Sequence, residues 1–229
     1  MHLTRWSILF LLTLLVPAGL AGQTWEDYDY ENLEFRGLGV EVGALFPTKV
    51  ESTIAFGLRA DLGMVGPNVR ISPALRYWSS PLRRAEVDRL GDQIRRICER
   101  QEGAVCPAFD LGEIRRSDFE LSVDAHYLFD LDLVVTPYAG GGVGLHLLNG
   151  SGEAIDGTFV EDLLDTLSPG VNLIAGLSLP ISPSLEVLTE ARGVLVGDIR
   201  YLNLLVGASW SIPTSAATSA SRSLGRSAR

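Results

Sequence analysis

Three histidines, two cysteines and a set of charged residues at alternate positions are the side chains of this sequence with chemistry to offer. His2 lies in the extreme N-terminal segment, which leaves His126 and His146. His126 stands two residues after Asp124. A histidine beside a carboxylate is half of a general-base site, because the acid orients the ring and steadies its protonated form. The nucleophile is missing: Tyr127 and Leu128 follow His126, with no serine two residues on. No HExxH pattern and no Cys/His cluster at zinc spacing occurs. Gly140-Gly141-Gly142-Val143-Gly144 has the wrong spacing for a phosphate loop, and no helix follows it. The expectation is therefore no catalytic residue, no metal ligand and no cofactor.

The remaining chemistry is charge. Glu41, Arg59, Asp61, Arg70, Arg76, Glu120, Asp124, Glu186, Glu190 and Arg192 each fall on one parity of a segment that alternates polar with apolar. Buried together, such groups must pair, since an unpartnered ion at low dielectric is costly. They are expected to form one interior network with His126; the functional alternative for such a file of ions is a proton or ion path.

The elements that carry these residues are strands. Period two runs through Leu38–Phe46, Thr53–Gly63, Val69–Trp78, Phe119–Phe129 and Leu133–Leu147, and again near Val171–Leu179, Leu185–Leu195 and Tyr201–Ile212. Two long insertions interrupt them, at 79–116 and 149–168. Val87, Leu90, Ile94 and Ile97 recur at helical spacing, which predicts an amphipathic helix over about Arg84–Arg100, with Asp92 and Arg96 as an i, i+4 pair. Thr158-Phe159-Val160-Glu161 is a capping-box pattern and predicts a second short helix over Thr158–Leu167, stopped at Ser168-Pro169.

Composition narrows the class. Of 229 residues, 46% are hydrophobic, Lys+Arg number 19 and Asp+Glu 28, and the mean hydropathy is +0.20. The acidic balance excludes a nucleic-acid partner, which needs a cationic face. Residues 1–22, MHLTRWSILFLLTLLVPAGLAG, have a positive start, a short apolar core and small residues before a cleavage point after Ala21 or Gly22. That is the pattern of a secretory signal, too short in its apolar run for a spanning helix. Export places Cys98 and Cys106 where they can pair as a disulfide. Residues 23–34 read as an acidic arm, 35–212 as the folded unit and 213–229 as a disordered tail.

Alternation alone fits a sandwich, a ligand-carrying barrel or a transmembrane barrel. Strand lengths close to the ~9–11 residues that cross a bilayer favour the last. So does the parity of the loops: the connections after strands two, four and six are short, and the long ones follow strands three and five. Aromatics near strand ends, Phe46, Tyr77 and Phe119 at one rim and Phe129 and Trp210 at the other, would form interfacial girdles.

From Phe35 to Ile212 the chain resembles the small eight-stranded outer-membrane barrels of Gram-negative bacteria, the OmpA/OmpX-like group. The resemblance rests on the signal, the alternating strands, the loop parity and a last strand, YLNLLVGASWSI, like the group's assembly signal; it departs in having residues 213–229 after that strand. It implies an all-β fold, an eight-stranded antiparallel transmembrane β-barrel whose two long outer loops here carry short helices. It also implies residence in the outer membrane, with lipids including lipopolysaccharide and the barrel assembly machinery as partners. The expected function is non-enzymatic: structure, adhesion or recognition of an unidentified extracellular ligand by the outer loops, around a salt-bridged, plugged lumen. The alternative is an enzyme acting on lipid A, or a small-ligand carrier at the barrel mouth.

Overall fold

The computed structural model describes residues 33–100, 111–153, 156–157 and 164–212. The signal segment, Cys106, the tail 213–229 and residues 158–163 of the second expected helix lie outside them.

Eight strands form one closed antiparallel barrel in sequence order: β1 Gly37–Pro47, β2 Thr53–Asp61, β3 Val69–Pro81, β4 Arg115–Leu128, β5 Thr136–Ser151, β6 Thr166–Ser182, β7 Leu185–Val196 and β8 Ile199–Ser211. Closure is made by β1 and β8, in register from Gly37 opposite Ser211 to Pro47 opposite Tyr201. A closed ladder leaves no strand edge unpaired. One end of the barrel carries the three turns 62–68, 129–135 and 183–184. The other carries the turns 48–52 and 197–198 and the two long loops, now bounded at 82–114 and 152–165. These are called the turn end and the loop end.

Among the described residues α1 (Arg84–Glu99) is the one complete helix; of the second expected helix, Leu164 is helical and 158–163 lie outside the described residues. Helix α1 matches the apolar spacing that predicted it. Its exposed pair differs: Asp92 bonds Arg95 at 2.6 Å rather than Arg96, and Arg95 also lies 3.9 Å from Glu99. The second expected helix is corrected at its C-terminal end. Thr166 and Leu167, with Ser168 and Pro169 after them, belong to β6 and pair with β5, Leu167 opposite Leu147 and Pro169 opposite Leu145. Ladder hydrogen bonds to β5 take Thr166 and Leu167 out of the expected helical run, before its stop signal at Ser168-Pro169. No helix of the described residues is long and apolar enough to cross a membrane.

The faces separate as the alternation requires. Leu38, Val40 and Val42 of β1, Ile54, Phe56 and Leu58 of β2, and Leu202, Leu204 and Val206 of β8 are all exposed on the outer wall. Glu41, Arg59, Arg76, Glu120, Asp124, Glu190 and Arg192 are buried inside it. The molecule has its ions in the middle and its aliphatic side chains on the surface. Soluble monomers rarely expose contiguous apolar patches beyond a few hundred Å².

Candidate functional site

The interior is layered along the barrel axis. At the turn end Arg70 bonds Glu186 at 3.1 Å, and Ser178 donates to the same carboxylate. This pair is only part-buried. Asp61, expected in the network, instead accepts from the backbone N–H of Gly63 at 2.7 Å and shapes the turn after β2.

The next layer is the ionic centre. Arg59 reaches Glu190 at 2.6 Å and Glu41 at 3.0 Å, while the Tyr138 hydroxyl donates to Glu190 at 3.0 Å. Arg76 bonds Glu41, donates to Ser122 at 2.9 Å and lies 3.3 Å from Glu120 and 3.5 Å from Asp124. Arg192 donates to Asp124 at 2.7 Å and to Glu120 at 2.6 Å. Asn172 donates to Asp124 at 3.1 Å. Three guanidiniums thus meet four carboxylates drawn from five strands. Each guanidinium bonds two or more acceptors, which is the geometry in which mutual attraction repays desolvation.

His126 is buried near this layer, but it makes no pair with Asp124. Its ring packs on Tyr138, centroids 5.1 Å apart, and Nε2 has no hydrogen-bond partner. His146 is fully buried and bonds Asp118 through Nδ1 at 2.9 Å. Neither histidine has a serine or threonine as hydrogen-bond partner among the described residues. No group of three metal-ligating side chains gathers there either.

The inward glycines of β5 make room in the lumen for side chains of the neighbouring strands. A Cβ on Gly142 would run into the Asp124 carboxylate and the backbone of Val123, and one on Gly144 would lie 3.2 Å from His146 Nε2. They accommodate an acid and a histidine. The arginines cross the lumen from β2, β3 and β7.

Towards the loop end the lumen also holds an apolar cluster, which the alternation of the strands does not predict. Leu45, Val50, Ala55, Trp78, Leu148, Val194, Val196, Ile199 and Tyr201 form one buried cluster, with Trp78 and Tyr201 edge to face at 6.0 Å. Tyr201 joins the layers, its hydroxyl 3.3 Å from Glu120 and 3.5 Å from Asp118. Above, α1 lies on a second cluster: Val87, Leu90 and Ile94 pack on Leu111 and Ile114, with Leu82 and Leu164. Arg83 anchors its start, donating to the carbonyls of Val50 at 2.9 Å and Pro47 at 3.0 Å. Lys49 of the turn after β1 bonds Asp198 of the turn after β7. Burial works against ionisation of Asp198, but the hydrogen bond and charge of Lys49 outweigh it and hold the carboxyl below its ordinary range.

Asp118, Asn172 and Tyr201 were the polar members overlooked. Asp118 was within reach: it has the same parity as Glu120 and Asp124, and was lost only because β4 starts at Arg115, earlier than the alternation suggested. Cys98 lies in the last turn of α1 and is not free; Cys106 is outside the described residues.

No protein-family model and no curated protein matches the chain. Solved structures do. The crystal structure of Neisserial surface protein A matches at 14% identity over 77% of this chain and 97% of that chain, with a TM-score of 0.50. A major outer membrane protein from Thermus thermophilus matches at 13% identity over 77% and 99% of the two chains, also with a TM-score of 0.50. At such identities the likeness is one of fold, and by fold this chain is a small eight-stranded barrel of the outer-membrane type.

Proposed function

We propose that this chain spans the outer membrane of a Gram-negative-type bacterium, with its turn end in the periplasm and its loop end outside. It acts there without catalysis, in surface recognition, adhesion or envelope structure through the loop-end cover. The observation that carries this is the inverted polarity: a continuous aliphatic outer wall around a core of paired ions. Lipid is the solvent that suits that wall. Membrane lipids, including lipopolysaccharide, are its partners on the wall, the barrel assembly machinery inserts it, and an extracellular ligand meets the cover. Export is directed by residues 1–22, with cleavage after Ala21 or Gly22.

Protease treatment of intact cells tests the topology. The expected cut falls within 82–114 and leaves a barrel whose gel mobility still changes on heating. Cleavage at 129–135 in intact cells, or a band that heating does not move, overturns the reading.

A Cys98–Cys106 bridge belongs to the same proposal. It would tie the end of α1 to the chain that returns towards Leu111, over a loop closure of roughly 2–3 kcal/mol on the entropy model. Reduction is expected to loosen the cover and leave the barrel folded, because the cover's clusters lie above the strand ladder. Thiol labelling of intact cells should therefore require prior reductant; full labelling without it would show the bridge absent.

A further inference from the structure

The outer wall is not uniform. Along β7 the outward positions after Leu195 are Gly193, Ala191 and Thr189, three small residues beside the larger Leu202, Leu204 and Val206 of β8; β5 also places small residues outward, at Ala139 and Gly141. The register sets Gly193 between Leu173 of β6 and Leu202 of β8, and sets Ala191 between Leu204 of β8 and the small Ala175 of β6, where the recess widens. The strand is therefore the floor of a recess, and its neighbours are the walls. Two cavities follow one another down it. One of about 550 Å³ is lined by Gly193, Leu173 and Leu202, with Thr48 and Arg200 at its loop end. The next, about 560 Å³, is lined by Ala191, Thr189, Leu204 and Val206.

Nothing inside the protein calls for the glycine. A Cβ on Gly193 would meet no atom within 4 Å. Every other described strand glycine would bring its Cβ against protein atoms, Gly57 against Glu41 at 2.6 Å and Gly170 against His146 at 2.5 Å among them. Glycine in a strand interior weakens the strand and commonly marks close approach of another group. At Gly193 the open side is the outer wall. Leu173, forming one wall, is 76% exposed, so no other side chain fills the recess.

Depth and charge identify the occupant. From Arg200 to Val206 the groove runs about 20 Å along the strand. A strand tilt near 45° turns this into roughly 14 Å of depth, about half of a ~30 Å hydrocarbon core. The recess is thus as deep as one leaflet. At its head Arg200 is exposed and has no ion pair among the described residues, while nearby Asp198 is engaged by Lys49. Two cations and one carboxylate leave the head positive. The other outward arginine at this end, Arg115, has Glu113 at 3.1 Å.

We propose that this groove holds one anionic, phosphate-headed lipid of the loop-side leaflet, an acyl chain lying over Gly193 and Ala191 and the phosphate on Arg200. A guanidinium binds phosphate through paired N–H donors, which gives the head selectivity beyond simple charge. The inference rests on the membrane-spanning reading above.

The test uses the full mature chain folded into phosphatidylcholine vesicles containing a minority of phosphatidylglycerol, with folding confirmed by heat-dependent gel mobility. After mild detergent extraction, native mass spectrometry counts the lipids that stay bound. The wild type should retain one phosphatidylglycerol in preference to phosphatidylcholine. Gly193→Leu, whose Cβ meets no protein atom and whose side chain fills the floor between Leu173 and Leu202, and Arg200→Gln should each lower retention about tenfold, a change of one decade in affinity. Leu121→Phe, on the wall of β4, should leave it unchanged. Folded variants that retain phosphatidylglycerol as the wild type does overturn the groove while the membrane reading stands. Loss in Gly193→Leu without loss in Arg200→Gln overturns the assignment of the head. Equal loss in Leu121→Phe, or equal retention of the two lipids by the wild type, overturns the site. A chain that does not enter the vesicles overturns the membrane reading and the inference with it.

Discussion

Arg192→Ala is expected to lower the unfolding free energy of the barrel by about 3–5 kcal/mol, because breaking a buried ion pair strands its partners. Arg192 is fully buried and is the closest cation to both Glu120, at 2.6 Å, and Asp124, at 2.7 Å. Once it is gone, Arg76 is, among the described residues, the one guanidinium left beside these two carboxylates, at 3.3 and 3.5 Å. Urea titration of the folded protein in detergent micelles reads the effect as a fall in midpoint of roughly 1–4 M. A companion variant separates lost charge from lost packing. Arg192→Met combined with Asp124→Asn removes one cation and one anion together, and should recover a good part of the loss through coupling of neighbouring sites. An unchanged midpoint in Arg192→Ala would mean that water reaches the ionic centre and solvates the stranded acids.

The second large effect concerns conduction. The lumen is closed twice, by the crossed arginines of the centre and by the apolar cluster around Trp78 and Tyr201 at the loop end. In planar bilayers the wild type should show no steady porin-like current. Trp78→Ala should cost about 3–5 kcal/mol as a large-to-small change in a packed site. It should nevertheless stay closed, since the ionic layer below is intact. Adding Arg192→Ala removes the second barrier and leaves acidic groups in excess, which favours a cation-selective current. Steady current from the wild type, or none from the double variant once it is shown to be folded, would refute the two-barrier account.

Much of this architecture was legible because one period governs it. A strand that faces lipid on one side and ions on the other writes both facts in alternate letters, and Glu41, Arg59, Arg76, Glu120, Asp124, Glu190 and Arg192 were found that way. What failed has the same cause. Near the loop end both faces are apolar, as in Leu147-Leu148 and Leu195-Val196, so the pattern stops distinguishing inside from outside. The apolar cluster could not be seen there. Strand ends were misjudged for a related reason: β5 and β6 continue to Ser151 and from Thr166, where ladder pairing persists after the alternation fades. Partners were beyond reach altogether. His146 and Asp118 are 28 residues apart and meet because β4 and β5 run side by side, which spacing alone does not reveal. His126 shows the limit from the other side: its neighbour in sequence, Asp124, is spoken for by Arg192, Arg76 and Asn172.

The closure of β1 on β8 has a meaning for the chain as a polymer. Ile212 donates its N–H to the carbonyl of Arg36 at 2.7 Å, so the first and last residues of the ladder are hydrogen-bonded neighbours at the turn end. The backbone pairing is a ring, with a covalent gap between the start of β1 and the end of β8. A short linker across that gap, with a new opening at an exposed turn, would preserve all eight pairings. Order along the gene and order around the cylinder are separable in this protein: the fold specifies who stands beside whom, and leaves open who comes first.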